Sequence, residues 1–354
     1  MSLRHAPDTA RSTIDVEPVG WQLAMKRAIR SQAELRRRLG MAENPHVGSA
    51  ERFPTFVPLE MAARIRPGDP HDPILRQVLA SEEELVEVGG YSSDPVGDLH
   101  ASVGGGLLHK YHGRALLVTH GACAVHCRYC FRREFPYSDV GSRTQRWQPA
   151  IEYLRADPSI EEVLLSGGDP LTLTDEVLDQ LIGELESIAH LRRLRIHTRL
   201  PIAIPQRITQ TLTDRLSRSR LMCWFVIHCN HAAEIDAPVS ESLQRLRLAG
   251  IPILNQAVLL SGVNDSVDSL EELSKCLIDR GVQPYYLHQL DRVHGAAHFW
   301  VEPRRGEELI ETLRERLPGY AVPQYVCEVT GEASKSTMES VLRKNADFSS
   351  LRDC

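Results

Sequence analysis

The feature that most constrains this chain is a group of three cysteines, Cys123, Cys127 and Cys130, in the short run CAVHCRYC. Three thiols this close together cannot all pair with one another as disulfides, and a reducing compartment would keep them free. Thiolates are metal ligands, and a four-iron cluster normally takes four of them. Three ligands would leave one iron open to a further ligand. The spacing therefore indicates a [4Fe-4S] cluster with an open, reactive iron.

A structural zinc site is the alternative interpretation of the same cysteines. Its fourth ligand would be His126 or a distant residue such as Cys229. Structural zinc sites usually show a second pair of ligands at C-x2-4-C spacing. The remaining cysteines of this chain are scattered singly. The pattern therefore favours the cluster over zinc.

Composition indicates an enzyme rather than a nucleic-acid or membrane protein. The 354 residues carry 41 Lys+Arg against 47 Asp+Glu, a net charge of −6, which argues against nucleic acid as a partner. The first residues lack the basic and apolar regions of a signal peptide. No apolar run reaches the roughly 18 residues that a membrane span needs. We therefore expect a cytoplasmic protein with no membrane partner.

Periodicity divides the chain into four regions. Residues 1–20 show no pattern and are expected to form a mobile tail. Residues 21–108 are expected to be a helical accessory segment, with one amphipathic helix over 21–39 and shorter helices near 59–65 and 74–85. Residues 109–305 alternate between strands and helices, and 306–354 form a C-terminal segment.

The alternation predicts an α/β fold with parallel strands, an incomplete (β/α)6 TIM-like barrel. The intervening helices are expected over 175–189, 240–249 and 266–280, the last two ended by Gly250 and Gly281. A flavodoxin-like doubly wound sheet is the alternative, since it also places ligands at strand ends. The six strands are expected at 114–119, 162–165, 194–197, 222–228, 252–259 and 283–288.

Polar residues follow each predicted strand, where the active site of an α/β barrel lies. The cysteines come after the first strand, and Asp291 comes after the sixth. Between them, the polar groups are Ser166 with Gly167, Gly168 and Asp169, the run 197–199, His228 with His231, and Asn255 with Gln256. We therefore expect one active-site mouth built from all six strand ends.

The cysteine run resembles the C-x3-C-x-aromatic-C signature of the radical S-adenosylmethionine (SAM) superfamily, with Tyr129 at the aromatic position. In that superfamily the open iron binds the amino and carboxylate groups of SAM, which is cleaved to a 5′-deoxyadenosyl radical. Gly167, Gly168 and Asp169 resemble its GGE motif for the SAM amino group, with aspartate in place of glutamate. The resemblance implies a radical SAM barrel that binds SAM.

Longer stretches resemble the lysine 2,3-aminomutase family, from about residue 64 to 335. The most specific are GLLHKYH at 106–112 and CRYCFRR at 127–133, which match the short branch that makes β-lysine for elongation factor P. Lys335 aligns with the lysine that binds pyridoxal phosphate (PLP) covalently. Arg114 and Lys110 align with cationic residues near the PLP phosphate, and His228 and Gln256 join Tyr129 and Ser166–Asp169 as cofactor-binding residues.

The resemblance also implies a substrate site. Arg132 aligns with the arginine that binds the substrate α-carboxylate, and Asp291 with a carboxylate that receives the ε-ammonium. Glu328 stands where larger members of the family have a second aspartate, so it keeps the charge on a longer side chain. Those members also carry a cysteine-rich zinc tail, which this chain lacks, so no structural zinc is expected.

The expected function is therefore conversion of free L-lysine to β-lysine, with lysine carried on PLP and a deoxyadenosyl radical as the hydrogen acceptor. The implied partners are an electron donor such as flavodoxin or ferredoxin and, indirectly, the enzyme that attaches β-lysine to elongation factor P. A homo-oligomer is left open. The alternatives are a 2,3-aminomutase for another amino acid such as glutamate, and a non-catalytic iron-sulfur or zinc scaffold.

Overall fold

The computed structural model describes residues 14–42, 52–139 and 147–346 of the chain. Most of the expected N-terminal tail lies outside these ranges. Its last part does not, and Ile14 is buried in the hydrophobic core. The chain is therefore packed against the rest of the protein from residue 14, ahead of the expected boundary at 20.

The expected single helix over 21–39 is two helices, Trp21–Lys26 and Gln32–Arg38. Between them Ile29 pairs as an isolated antiparallel bridge with Val57, through backbone bonds of 2.8 and 3.0 Å. Ser31 then caps the second helix, its hydroxyl accepting a hydrogen bond from the backbone N–H of Glu34. The prediction of one continuous helix was wrong because Ile29 adopts an extended, bridge-forming conformation and Ser31 caps a new helix, although the apolar spacing is helical throughout.

One nine-stranded sheet forms the scaffold, with strand order identical to chain order. Strands β2 to β8 are parallel, and β1 and β9 pair antiparallel at the two edges. The nine strands are β1 (Leu107–Tyr111), β2 (Arg114–Val118), β3 (Glu162–Ser166), β4 (Arg193–Thr198), β5 (Met222–His228), β6 (Ile253–Val258), β7 (Val282–His288), β8 (Gln324–Cys327) and β9 (Ser336–Thr337).

Each of the strands β2 to β7 is followed by at least one helix, which confirms the six predicted βα units and the incomplete barrel. The sheet does not close between β1 and β9 in the described part of the chain. The helices that follow these strands are Gln148–Ala156, Asp175–Glu186, Leu200–Ala203 with Gln210–Ser217, Ala237–Leu248, Val267–Ile278 and Pro303–Arg316.

The helices pack on the sheet through one apolar face each. In Asp175–Glu186 the buried residues are Leu178, Leu181, Ile182 and Leu185, a spacing that places them on one side of the helix. Gly250 and Gly281 lie just after two such helices with φ of +73°, the left-handed conformation that glycine adopts without steric cost.

The sheet continues into the C-terminal segment. Helix Pro303–Arg316 spans the expected boundary at 305, and β8 then pairs with β7 in parallel register, with Leu287 opposite Tyr325. The final helix is Met338–Ala346, and the N-terminal region adds Leu59–Ala62 and Pro73–Val78. None of the helices in the described ranges is long and apolar enough to cross a membrane.

Candidate active site

A cavity of about 590 Å³ opens on the inner side of the sheet. Its wall takes residues from the strands β1 to β7 and from the segment after β8, so the sheet curls around it. Every residue given a metal, cofactor or substrate role in the sequence analysis contributes to this wall, whereas His231 and Asn255, also expected at the strand ends, do not. The contributing residues are Lys110, Arg114, Cys123, Cys127, Tyr129, Cys130, Arg132, Ser166, Gly167, Gly168, Asp169, His228, Gln256, Asp291, Glu328 and Lys335.

The three cysteines face the cavity on a loop that follows β2. Burial, together with the neighbouring thiols, raises the pKa of Cys123 and that of Cys130, the latter to about 11. Three thiols gathered on one short loop suit a cationic iron cluster, which would bind all three as thiolates. Arg199 donates a hydrogen bond of 2.7 Å from Nη1 to the Sγ of Cys127.

The residues between the cysteines hold the loop in place. The backbone N–H of His126 donates to the carbonyl of Phe56 at 3.0 Å, and its Nδ1 lies 2.7 Å from the carbonyl of Pro54. Arg128 is fully buried and forms a bidentate pair with Glu84 at 2.8 and 2.6 Å. These contacts fix the backbone that carries the three thiols.

The zinc alternative does not gain support from the described residues. His126 is not part of the cavity wall, and Cys229 is buried elsewhere, its Sγ 3.4 Å from the carbonyl of His231. No three His, Cys, Asp or Glu side chains within these ranges surround a single metal-ion position. A four-iron cluster has a different requirement, because each thiolate binds a different iron.

The loop after β3 lies directly against the cysteine loop. The backbone N–H groups of Gly168 and Asp169 donate to the carbonyls of His120 and Ala122 at 2.7 and 2.8 Å. A Cβ on Gly168 would stand 2.2 Å from the oxygen of Ala122, and Gly167 has a φ of +113°. Only glycine fits both positions, so these two residues leave bare backbone beside the cysteines.

Asp169 is buried, and its carboxylate accepts hydrogen bonds from protein groups. The donors are the hydroxyl of Thr198 and the backbone N–H groups of Leu171 and Arg199, at 2.7 to 3.0 Å. Burial raises the pKa of Asp169 despite these bonds. The carboxylate therefore joins the ends of β3 and β4, and any SAM contact would use its remaining lone pairs.

Arg199 is the centre of a buried polar network that the sequence did not single out. Besides Cys127, its guanidinium donates to the hydroxyl of Tyr129 at 2.8 Å, to Gln77 at 2.6 Å and to Glu234 at 2.8 Å. The hydroxyl of Tyr129 in turn lies 2.8 Å from Nε2 of His228. Burial and Arg199 lower the pKa of His228 to about 3, so this imidazole is neutral. The network fixes two predicted SAM-binding side chains.

On the other side of the cavity, five side chains of alternating charge form a continuous chain from Arg132 to Lys335. Arg132 donates from Nε to Asp98 at 2.7 Å, and Asp98 pairs with Lys110 at 2.7 Å. Lys110 pairs with Glu328 at 3.3 Å, and Glu328 also accepts from Lys335. We call this set the ion chain.

The ion chain explains two shifted acidities. Burial acts against ionisation of Asp98 and Glu328, but the flanking cations outweigh it. The pKa of Asp98 is lowered by Arg132 and Lys110, and that of Glu328 is lowered to about 2 by Lys335 and Lys110. The hydroxyl of Tyr111 also donates to Glu328 at 2.6 Å. Asp98 and Tyr111 are site residues that the sequence did not reveal.

Asp291 also lines the cavity, and its carboxylate has no hydrogen-bond or ion-pair partner in the described part of the chain. Burial raises its pKa to about 6, although Lys335 acts to lower it. His197 is similar: its Nε2 is buried and has no hydrogen-bond partner in the described structure, and burial keeps its pKa well below the usual value. A buried carboxylate and an unpaired buried nitrogen on the wall of one cavity leave hydrogen-bonding capacity for a bound polar molecule.

The chemistry of the remaining donors fits a phosphorylated aldehyde cofactor. Lys335 supplies a primary amine that is 27% exposed, and Arg114 faces the cavity with its guanidinium 4.6 Å from the centre of the Tyr111 ring. Across the described ranges no carboxylate lies within ion-pair distance of Arg114. An unpaired guanidinium and a reachable amine are the two groups that such a cofactor needs.

The chain was compared with family models and solved structures. Residues 112–196, which include the three cysteines, match a family model described as a 4Fe-4S single cluster domain. Solved structures with similar folds include a radical SAM methyltransferase from Sphaerobacter thermophilus, 18% identical with a TM-score of 0.47, covering 62% of this chain and 68% of that one. Another is Streptococcus suis SuiB bound to S-adenosylmethionine, 15% identical with a TM-score of 0.46, covering 62% and 51%.

Curated relatives are much more similar in sequence. The L-lysine 2,3-aminomutase of Escherichia coli K12 is 48% identical over 82% of this chain and 85% of its own length. The enzyme of the same name from Haemophilus influenzae is 42% identical over 90% and 96%, and that of Clostridium subterminale is 36% identical over 89% and 77%. Identity at this level over most of both chains, together with the three-cysteine loop, places the chain in the L-lysine 2,3-aminomutase family of radical SAM enzymes.

Proposed function

We propose that this chain converts free L-lysine to β-lysine, using two charged contacts at opposite ends of the substrate. The observation that carries the proposal is the placement of Arg132 and Asp291 on the wall of the cavity that also holds Lys335 and the three thiols. Lysine has a carboxylate at one end and an ammonium at the other. A cavity with a guanidinium and a buried carboxylate matches both ends.

The cofactors of the family are a [4Fe-4S] cluster, SAM and PLP. When bound, they supply a radical that removes a hydrogen atom and a carrier that delocalises the unpaired electron. The predicted ligands of the cluster are Cys123, Cys127 and Cys130. Tyr129, Ser166, Gly167, Gly168, Asp169, His228 and Gln256 are proposed to hold SAM beside it.

Arg132 is proposed to bind the substrate α-carboxylate. Its Nε is already bonded to Asp98, and Nη1 donates to the hydroxyl of Ser166 at 3.0 Å. A two-point contact to a carboxylate would therefore use the outward protons of Nη1 and Nη2. The pairing with Asp98 also keeps the guanidinium plane fixed, which lowers the entropy lost on binding.

Asp291 is proposed to bind the ε-ammonium. Its carboxylate has the hydrogen-bonding capacity to receive an ammonium, because it is not used by neighbouring donors in the described structure. Glu328, the other candidate, is occupied by Lys110, Tyr111 and Lys335. Attachment of Lys335 to PLP would remove one of these partners and free one oxygen of Glu328 for the substrate.

Lys335 is proposed to attach PLP, with Arg114 at its phosphate. Borohydride reduction of the PLP-loaded protein should fix the cofactor covalently, and peptide mapping should place it on Lys335. Label on any other lysine would overturn this assignment. The readout does not depend on the iron-sulfur cluster, so it tests the PLP site separately.

The wider setting is proposed from the resemblance to the short branch of the family. We propose a cytoplasmic enzyme, reduced by flavodoxin or ferredoxin, whose β-lysine is attached to elongation factor P. The test uses a strain that lacks the gene for this chain. Elongation factor P isolated from that strain should lack the β-lysine modification, and β-lysine added to the medium should restore it. Modified elongation factor P in that strain without added β-lysine would exclude this role.

The central experiment is an anaerobic assay of reconstituted enzyme with L-lysine and L-glutamate. We expect β-lysine from lysine and essentially no product from glutamate, because a second carboxylate would face Asp291 and Glu328. Equal turnover of glutamate would support the alternative aminomutase. No turnover of either substrate by protein with a full iron content would favour a non-catalytic scaffold.

A further inference from the structure

Lys110 lies in β1, and its ammonium already contacts three protein acceptors. It donates hydrogen bonds to the backbone carbonyl of Val96 at 2.7 Å and to Glu328 at 3.3 Å, and it forms an ion pair with Asp98 at 2.7 Å. An ammonium has three donors and no acceptor, so this set uses its full capacity. A phosphate contact by Lys110 would have to replace one of these bonds.

Arg114 presents the opposite situation on the adjacent strand. It also faces the cavity, but in the described ranges its guanidinium forms neither an ion pair nor a hydrogen bond and rests against the ring of Tyr111. Of the two cations assigned by resemblance to the PLP phosphate, only Arg114 is therefore available to an anion. The two residues differ in their surroundings although they share a cavity.

Lys110 occupies the middle of the ion chain. Asp98 and Glu328 are 3% and 9% exposed, and each stands between Lys110 and one other cation, Arg132 or Lys335. Removing Lys110 would leave two nearly buried carboxylates with one cation each, and each would lose a charge partner that compensates its burial. The carbonyl of Val96 would lose its partner as well, which would loosen the segment that carries Asp98.

We propose that Lys110 is a positioning residue for substrate recognition, which sets the spacing between Arg132 and Glu328, and that it is not a ligand of the PLP phosphate. This rests on the proposed function, in which Arg132 binds the α-carboxylate of lysine and Glu328 gains an oxygen for the substrate once Lys335 attaches PLP. Lys110 acts through Asp98 on the group that binds the α-carboxylate. It acts through Glu328 on the lysine that carries the cofactor.

The test compares Lys110→Met with Arg114→Met, two variants that each remove a single cation from neighbouring strands. The first measurement is PLP affinity, by titration of apo-protein in the absence of lysine. Lys110→Met should leave the dissociation constant within about twofold of the parent value, and Arg114→Met should raise it at least tenfold, as expected for loss of a charge-assisted contact.

The second measurement is turnover of lysine by the PLP-loaded, reconstituted enzyme. Lys110→Met should lower kcat/KM at least tenfold, mainly through a higher KM, because the anchoring groups are misplaced rather than removed. Lys110→Arg should recover most of the loss, since a guanidinium also reaches two carboxylates. Circular dichroism confirms folding, and Asp98→Asn interrupts the ion chain from the other side if Lys110→Met does not fold.

A rise in the PLP dissociation constant of Lys110→Met as large as that of Arg114→Met would overturn the proposal, and so would an unchanged KM. If the parent itself does not convert lysine, the proposed function has failed. The PLP titration still decides in that case whether Lys110 contacts the phosphate, so the two failures are distinguishable.

Discussion

Asp291 offers the sharpest test of the substrate site, because Asn has nearly the same shape and lacks the charge. The pKa of this carboxyl rises from its ordinary 3.8 to about 6 on burial. That difference corresponds to about 3 kcal/mol of penalty on the ionised form. Ionised Asp291 is therefore unfavourable in the empty cavity, and a bound cation would offset this unfavourable free energy.

The magnitude of the loss follows from the same charge. An ammonium about 4 Å from a carboxylate gains roughly 4 kcal/mol at the effective dielectric constant of a partly buried site. Asn is less costly to bury than an ionised Asp, which offsets part of this attraction. We therefore expect Asp291→Asn to lose about 2 to 4 kcal/mol of transition-state stabilisation. This corresponds to a fall in kcat/KM for lysine of roughly 30- to 900-fold.

The assay is anaerobic formation of β-lysine, with the iron and PLP content of each protein measured beforehand. Norleucine, which lacks the ε-ammonium, serves as the matched substrate control, and its binding should be the same in parent and variant. Asp268→Asn, at a 90% exposed position, is the control for loss of a carboxylate elsewhere. Lysine turnover by Asp291→Asn within threefold of the parent would refute the assignment.

Three further outcomes are expected. Lysine kcat/KM should fall as the pH drops below about 6, because Asp291 is then protonated and cannot pair with the ammonium; a kcat/KM that stays constant down to pH 5 would contradict this assignment. Gly168→Ala should abolish SAM-induced changes in the cluster EPR signal, since its Cβ would meet the carbonyl of Ala122, and a normal response would show that the close approach is not needed. The triple Cys→Ala variant of the loop should retain no [4Fe-4S] cluster, and iron content equal to the parent's would exclude these ligands.

The six central strands could be predicted because β-branched apolar runs are bounded by helix-forming segments. Strand β5 lies at Met222–His228, where it was expected, and β2 ends one residue early at Val118. The edge strands could not be predicted in the same way. β9 has only two residues, and its pairing depends on β8, so no local periodicity marks it.

Local motifs predicted residues that line the cavity, whereas lining residues that are joined only by long-range contacts were missed. The cysteine loop and the glycine pair have fixed spacings, whereas Asp98 lies in a stretch without periodicity. Tyr111 and Glu328 are 217 residues apart in the chain, and no pattern near either one indicates their contact. Arg199 follows a predicted strand, but a single charged residue at a strand end is too common to reveal a network.

The agreement between strand order and chain order has a consequence for how the enzyme is made. The first strands of the sheet carry the cysteine loop, and Lys335 lies beyond β8, near the end of the chain. Chains generally begin to fold from the N-terminus during synthesis. The three proposed cluster ligands therefore leave the ribosome with their supporting strands long before Lys335, the proposed attachment point of PLP, has been synthesised. The two proposed cofactor sites share one cavity in the finished protein, but their residues become available at different times.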